Sequence, residues 1–181
     1  MATPDEIREL QLKMLQERDA LLTAVRPMSV EVAEHRPPDK DGEDGWSVKE
    51  QLVHLAQMDA RYRSWCERTV REERPDLDVD AQPPADPARY GMDVAHDVSV
   101  ADLITEVDRQ RALTVEFIQG LAPQDFDRVS SNAMFGELTV LQWLRSCYRH
   151  DRMHLAQVEH RASEYQPRFL KGEPDQRRRP S

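Results

Sequence analysis

Apolar residues recur every three or four positions in four separate segments of the chain, with charged residues between them. The first segment begins at Thr3 or Pro4 and ends near Pro27. Asp5 and Glu6 in its first turn favour the positive end of a helix dipole. Its apolar stripe consists of Ile7, Leu10, Met14, Leu21, Leu22 and Val25. This spacing is that of one helix face and predicts a first amphipathic helix.

A serine or threonine followed three residues later by an acid or a glutamine begins each of the other three segments. These pairs are Ser47–Glu50, Ser99–Asp102 and Thr139–Gln142. Such a capping box satisfies backbone N–H groups that a helix start otherwise leaves unpaired. The predicted helices that follow end at Arg74–Pro75, at Gly120 and at about Ser163.

The connecting segments are irregular, and the sequence shows no strand-like alternation of useful length. Residues 27–45 and 121–138 are predicted as loops, the second with a short helical turn near Pro123 to Asp127. Residues 75–97 hold four prolines and are long enough to cross the bundle or to cover one end of it. The fold class predicted is all-α, a four-helix bundle over residues 1–165, followed by a polar, flexible tail at 166–181.

Two of the six histidines share a buried face of the fourth predicted helix. His150 and His154 are one turn apart, about 40° in projection, on the face that also carries Trp143. His54 lies on the second predicted helix, at the edge of its apolar arc. In an up-down-up-down bundle these two helices run in the same direction, which places His54 about 6 Å from His150 along the axis. The three imidazoles can therefore meet at one level of the core.

Three neutral imidazoles are suitable ligands for a divalent metal such as Zn, Ni or Fe, and they leave coordination positions open for water or substrate. A purely structural explanation also stands, because buried histidines are commonly hydrogen bonded to backbone carbonyls. The other histidines are predicted to stay outside the cluster. His35 and His96 fall in loops, although His96 could reach the mouth of the site, and His160 projects from the opposite helix face.

Three further side chains have roles that the pattern leaves open. Cys147 shares the face of His150 and His154, so a thiolate ligand is geometrically possible. Packing explains it better, because free cysteine is among the most buried residue types. Asp59 and Asp151 are the nearest helical carboxylates, and either could orient a histidine.

Charge and composition exclude several classes of protein. The formal net charge of −9 argues against nucleic-acid binding, which requires a basic surface. No stretch approaches the roughly 20 apolar residues of a membrane span, and no secretory signal is visible. The two cysteines do not form a disulfide framework. A cytoplasmic protein without nucleic-acid or membrane partners is expected.

Three motifs carry a resemblance to a known family. They are W-S-V-K-E-Q-L-V-H-L from Trp46 to Leu55, L-T-V-L-Q-W-L from Leu138 to Leu144, and H-D-R-M-H from His150 to His154. In order and spacing they resemble the DinB/YfiT-like superfamily over roughly residues 5–163. The resemblance implies a four-helix bundle and carries the family's metal triad onto His54, His150 and His154.

The resemblance also implies a cofactor and a reaction class. Members bind one divalent metal ion, variously Zn, Ni, Fe or Mn, and are often homodimers. Some branches are similar to bacillithiol transferases and mycothiol-dependent maleylpyruvate isomerases, in which the metal activates a low-molecular-weight thiol. A metal-dependent transferase that acts on a small-molecule substrate with such a thiol is therefore predicted, without an assigned catalytic residue.

Two alternatives remain open. A metal-dependent hydrolase ranks lower, because no carboxylate stands at a convincing spacing for the general base that such a mechanism needs. A non-catalytic, stress-related metal-binding bundle is the third interpretation.

Overall fold

Five α-helices are present in the residues that a computed structural model describes, which are 2–38, 40–79, 82–166 and 177–178. They are α1 (Pro4–Val25), α2 (Val30–Glu34), α3 (Val48–Arg71), α4 (Val100–Gln119) and α5 (Val140–Val158). The four long helices are those predicted, and they confirm the four-helix bundle. The five-residue α2 lies in a segment predicted as a loop, where Ser29 caps a single amphipathic turn. Such a turn is too short for periodicity to reveal.

Each long helix begins at its predicted cap. Complete capping boxes are formed by Thr3 and Glu6, by Ser47 and Glu50, and by Thr139 and Gln142, while the Ser99 side chain accepts from the Asp102 N–H. The C-terminal ends of α3 and α5 come a few residues earlier than predicted. Beyond α5, His160 adopts a left-handed conformation with φ of 53°, which is incompatible with a continuing helix.

The α3 cap supports the helix that carries His54, and we predict a measurable cost for its removal. The buried Ser47 Oγ accepts from the Glu50 N–H at 3.3 Å, and the Glu50 carboxylate accepts from the Ser47 N–H at 2.9 Å. We expect Ser47→Ala to lower the free energy of unfolding by about 1 kcal/mol in urea titrations. Ser29→Ala removes the cap of the short α2 only, and it should lower the free energy of unfolding by roughly a few tenths of a kcal/mol. Equal losses in the two variants would contradict this difference.

The direction of the helices differs from the predicted up-down-up-down order. The Cys66 Sγ lies 3.9 Å from the Val140 carbonyl oxygen, whereas Gln51 contacts His154. Later positions on α3 therefore meet earlier positions on α5, so these two helices are antiparallel and the predicted common direction is wrong. The pattern of apolar residues determines which face of a helix is buried, but it is silent about which neighbour covers that face.

The two remaining pairings complete an up-down-down-up bundle. Glu6 pairs with Arg145 at 3.6 Å and Arg18 with Asp151 at 2.7 Å, so α1 and α5 run parallel. Helices α3 and α4 also run parallel, because Asp59 pairs with Arg111 and the later Arg63 bonds to the later Thr114.

Parallel neighbours need a connection that returns the length of the bundle, and the proline-rich segment between α3 and α4 provides it. Arg63, Gln57 and Lys49 donate to the carbonyl oxygens of Asp86, Tyr90 and His96 respectively. As the segment advances, its contacts move back along α3 towards the start of that helix. The segment therefore runs alongside α3, in agreement with its predicted length.

The predicted 121–138 loop contains the expected helical turn, a 3-10 helix at Pro123–Asp127, and also a hairpin that the sequence analysis missed. Its strands are β1 (Val129–Asn132) and β2 (Gly136–Thr139). Four-residue strands are too short to show clear alternation. A second pair joins β3 (Tyr165–Gln166) to β4 (Arg177–Arg178). The rest of the predicted tail, 167–176 and 179–181, lies outside the described residues.

Two apolar clusters fill the bundle, one at each end. The first is centred on Trp143, whose Nε1 donates to the Ser130 Oγ at 3.0 Å and whose ring packs edge-on to Trp65. The second includes Leu52, Leu103 and Leu155. Within the described part of the chain, no helix is both long and apolar enough to cross a lipid bilayer.

Candidate metal centre

The three predicted histidines lie together at one end of the bundle. The Nε2 atom of His150 is 3.2 Å from the Nε2 of His54 and 3.1 Å from the Nε2 of His154. Because α3 and α5 are antiparallel, they meet for a different reason from the one predicted. His54 lies near the start of α3, and the other two lie near the end of α5.

A glutamate that the sequence analysis did not consider completes the cluster. The Glu43 Oε1 lies 3.6 Å from the His54 Nε2, and the ligand atoms of Glu43 and the three histidines all lie within 4.8 Å of one another. Glu43 sits on a 3-10 turn, Gly42–Gly45, inside the segment predicted as a loop. Gly42 has φ of 59°, and a Cβ at Gly45 would overlap the Lys40 carbonyl oxygen. The glycines that bracket Glu43 were the only signal in the sequence for this turn.

Burial keeps the imidazoles neutral. It lowers the pKa of His54 to about 4 and that of His154 to about 3, with nearby His54 lowering the latter further. The pKa of His150 lies well below its ordinary value, first through burial and then through the two other imidazoles. Burial and the adjacent Asp44 raise the pKa of Glu43. Neutral imidazole is the form that binds metals.

The donor set fits a divalent metal. Nitrogen ligands at the 2.0–2.1 Å typical of tetrahedral zinc lie about 3.3 Å apart, close to the two separations between imidazole nitrogens seen here. Imidazole with one carboxylate suits Zn, Fe, Ni and Mn, whereas Ca and Mg prefer oxygen ligands only. The cluster can therefore hold an ion of the predicted kind.

Two neighbours hold the histidine rings in place. The indole of Trp46 packs edge-on against His54 with ring centroids 4.7 Å apart. The Gln51 Oε1 lies 3.2 Å from the His154 Nδ1, on the side of the ring opposite the cluster. Neither contact follows from helical projection alone, because each depends on how α3, α5 and the preceding loop pack.

The three other histidines lie outside the cluster, as predicted. His35, His96 and His160 are all exposed. His96 does not extend to the site, and its Nε2 is instead 3.8 Å from the Glu50 carboxylate.

The side chains with open roles now have defined surroundings. Cys147 is buried in the Trp143 cluster, and burial raises the pKa of its thiol well above the ordinary value. Cys147 is not among the residues whose ligand atoms gather in the histidine cluster, so packing remains the interpretation. Asp59 and Asp151 bind the guanidinium groups of Arg18 and Arg111, and none of their described hydrogen bonds reaches a histidine. The suggestion that either aspartate orients a histidine by hydrogen bonding is therefore wrong for the described contacts.

Fold and site together define a class of protein, a helical bundle with three neutral histidines and one carboxylate gathered at one end. The sequence profile of the DinB superfamily matches residues 13–158. The chain belongs to the DinB superfamily, which confirms the predicted resemblance.

Two relatives from Bacillus subtilis illustrate the relationship. The uncharacterized protein YuaE of strain 168 is 29% identical over 128 residues, which cover 66% of this chain and 79% of YuaE. The structure of YfiT has a TM-score of 0.67 and 14% identity, with 88% of this chain and 87% of YfiT covered. YfiT is described as a probable metal-dependent hydrolase with an unusual four-helix bundle topology. At this identity the likeness establishes the fold alone.

Proposed function

We propose that this protein is a metal-dependent hydrolase in which His54, His150 and His154 hold one divalent ion and Glu43 is the general base. The observation that carries this proposal is the carboxylate of Glu43 in the same cluster as three neutral imidazole nitrogens, all within 4.8 Å. A description of YfiT as a probable metal-dependent hydrolase agrees with it but does not establish it for this chain.

The chemistry divides between the ion and the protein. His54, His150 and His154 would hold the ion, which would supply a water acidified towards neutrality and a Lewis acid for the carbonyl or phosphoryl group of a substrate. The Glu43 carboxylate lies 3.6 Å from the His54 Nε2, its side chain is still 28% exposed, and it would accept a proton from such a water. Its raised pKa suits this role, because a general base works best when its pKa approaches the working pH.

Glu43 changes the ranking of the candidate reactions. The hydrolase ranked below the transferase only because no carboxylate was apparent beside the histidines. The thiol-dependent transferase stays a prediction from the family resemblance, since an open coordination position serves a thiol as well as a water. Nothing in the described contacts of the cluster favours a thiol over water.

The decisive experiment is metal analysis of protein purified without a histidine tag, followed by assays of the loaded protein. Esters, amides and phosphoesters are tested with and without low-molecular-weight thiols and a generic electrophile. Metal-dependent hydrolysis that needs no thiol supports the proposal. Turnover only in the presence of a thiol would favour the transferase. Sub-stoichiometric metal would contradict both and leave a non-catalytic bundle.

We predict that Glu43→Gln keeps the metal but loses most of the hydrolytic activity. The amide cannot accept the proton, so kcat should fall about hundredfold, at the low end of general-base effects. Asp41→Asn is a matched control, since Asp41 is exposed in the same loop and its side chain makes no cap hydrogen bond. It should change kcat less than twofold. Loss of the ion from the Glu43→Gln protein would make Glu43 a ligand and contradict its assignment as the base.

A further inference from the structure

The side chain of Gln51 bridges a backbone carbonyl group and the imidazole ring of His154. Its Nε2 donates to the backbone carbonyl of Trp46 at 3.2 Å, and its Oε1 lies 3.2 Å from the Nδ1 of His154. Gln51 is buried, with 5% of its surface exposed, and His154 is fully buried. Solvent therefore does not compete for these two hydrogen bonds.

In this series of hydrogen bonds, the Trp46 carbonyl determines the orientation of the Gln51 amide, and that orientation determines which nitrogen of His154 carries the proton. A backbone carbonyl can only accept, so the Trp46 oxygen requires the NH₂ end of the Gln51 amide. The carbonyl end then faces His154, and it also can only accept. The Nδ1 of His154 must therefore carry a hydrogen. A neutral imidazole has one N–H, which leaves the Nε2 of His154 with a free lone pair directed at His54 and His150.

A second glutamine, Gln157, links α5 to the turn that carries Glu43. The Gln157 Nε2 donates to the Asp44 carboxylate at 2.8 Å, which turns its Oε1 inwards. Asp44 also follows Glu43 directly, so this link fastens the Glu43 turn to α5.

We propose that Gln51 is a positioning residue that fixes His154 as the Nδ1–H tautomer and so presents its Nε2 lone pair to the metal. The inference rests on the proposed function at one point only, namely that the Nε2 lone pair of His154 binds the metal. The tautomer can be measured in the metal-free protein without any substrate. A failure of the tautomer assignment is therefore distinguishable from a failure of the hydrolase proposal.

The test uses full-length protein with ¹⁵N-labelled histidine. Long-range ¹H–¹⁵N spectra of the metal-free wild type should show His154, assigned by its loss in His154→Ala, as the Nδ1–H form. Gln51→Met keeps the length but removes both hydrogen bonds, and the Nε2–H form should become populated. Gln51→Glu keeps an acceptor opposite Nδ1 and should retain the Nδ1–H form. The matched control is Gln57→Met, because Gln57 on the same helix donates to the Tyr90 carbonyl but does not contact a histidine.

Metal affinity provides a second readout, measured by competition with a chelator of known affinity. Loss of such an outer partner typically costs 10- to 100-fold in metal affinity, and we expect Gln51→Met to raise the Kd of Zn²⁺ within that range. Gln57→Met should leave it within twofold. A wild-type tautomer in Gln51→Met, or an equal loss of affinity in Gln57→Met, would overturn the proposal. If Gln51→Met does not fold, an Nε2–H form in Gln51→Glu would overturn it just as directly.

Discussion

Replacing His150 with alanine should abolish stoichiometric binding of a divalent metal. The Nε2 of His150 lies between the other two imidazoles, 3.2 Å from that of His54 and 3.1 Å from that of His154. Its loss leaves His54 and His154 as the assigned ligands, because Glu43 is assigned as the base, and two imidazoles alone bind a divalent ion much more weakly than three. Metal content after dialysis, measured by mass spectrometry on untagged protein, should fall from about one ion per chain to background.

Stability gives the same prediction a second measurement. A ligand at 100 times its Kd stabilises the folded state by about 2.7 kcal/mol. Wild-type protein should gain this amount when metal is added, and His150→Ala should gain nothing. His35→Ala is the control, because His35 is exposed and lies outside the cluster. It should bind and be stabilised like the wild type. Full metal content in His150→Ala would mean that the cluster does not hold the ion.

The starts of the long helices and the shared face of His150 and His154 could be predicted from the sequence, because both depend on local chemistry. Each capping box satisfies its own N–H groups wherever the helix packs. His150 and His154 share a face for purely helical reasons. The axial position of His54 beside His150 was predicted correctly, although the prediction assumed that α3 and α5 run in the same direction. It lies seven residues after Ser47, and His150 lies eight before Val158, so an antiparallel pair aligns them about as well as a parallel pair would.

The parts that could not be predicted depend on contacts between distant segments. Glu43 lies on a turn that begins with Gly42 in a left-handed conformation, and it reaches the cluster through its contact with His54 on α3. A single acid in a loop has no periodicity that would distinguish it from its exposed neighbours. The direction of α5 relative to α3 likewise depends on the long return segment, whose path is set by hydrogen bonds to α3.

One buried group did leave a signal in the pattern. Arg18 lies four residues after Met14 and three before Leu21, within the apolar stripe of α1. Arg111 occupies the same kind of position on α4, between Val107 and Thr114. A charge inside an apolar stripe predicts a buried partner, because an unpaired buried charge is very costly.

Those partners are Asp59 and Asp151, and the four side chains form a neutral buried network that joins all four long helices. Arg111 contacts both carboxylates, at 2.9 Å in each case, and Arg18 lies 2.7 Å from Asp151 and 3.2 Å from Asp59. The guanidinium groups also donate to the backbone carbonyls of Met14 and Val107. Each of the four residues is at most 3% exposed.

Arg111→Met should therefore be among the most destabilising single changes in the protein. Removing one partner from a buried charge network typically costs 3–5 kcal/mol, because the remaining charge is left uncompensated. We expect a loss in this range in urea unfolding at pH 7. Arg8→Met breaks the exposed pair between Arg8 and Asp5 and should cost less than about 0.5 kcal/mol. A loss below about 1 kcal/mol for Arg111→Met would show that the network contributes little.

The pH dependence of that loss follows from Asp59. Burial raises the pKa of this carboxyl, but Arg111 and Arg18 together hold it below its ordinary value. A carboxyl with a lowered folded-state pKa stabilises the protein above its unfolded pKa of about 3.9, and this contribution is lost as the pH falls through the folded-state value.

Without Arg111, burial dominates and the pKa of Asp59 rises. The carboxyl of the variant should then take up a proton on mild acidification, and a protonated Asp59 no longer needs a guanidinium partner. The difference in unfolding free energy between wild type and Arg111→Met should therefore narrow from pH 7 to pH 4, whereas a difference that stays constant would mean that the cost is one of packing rather than charge.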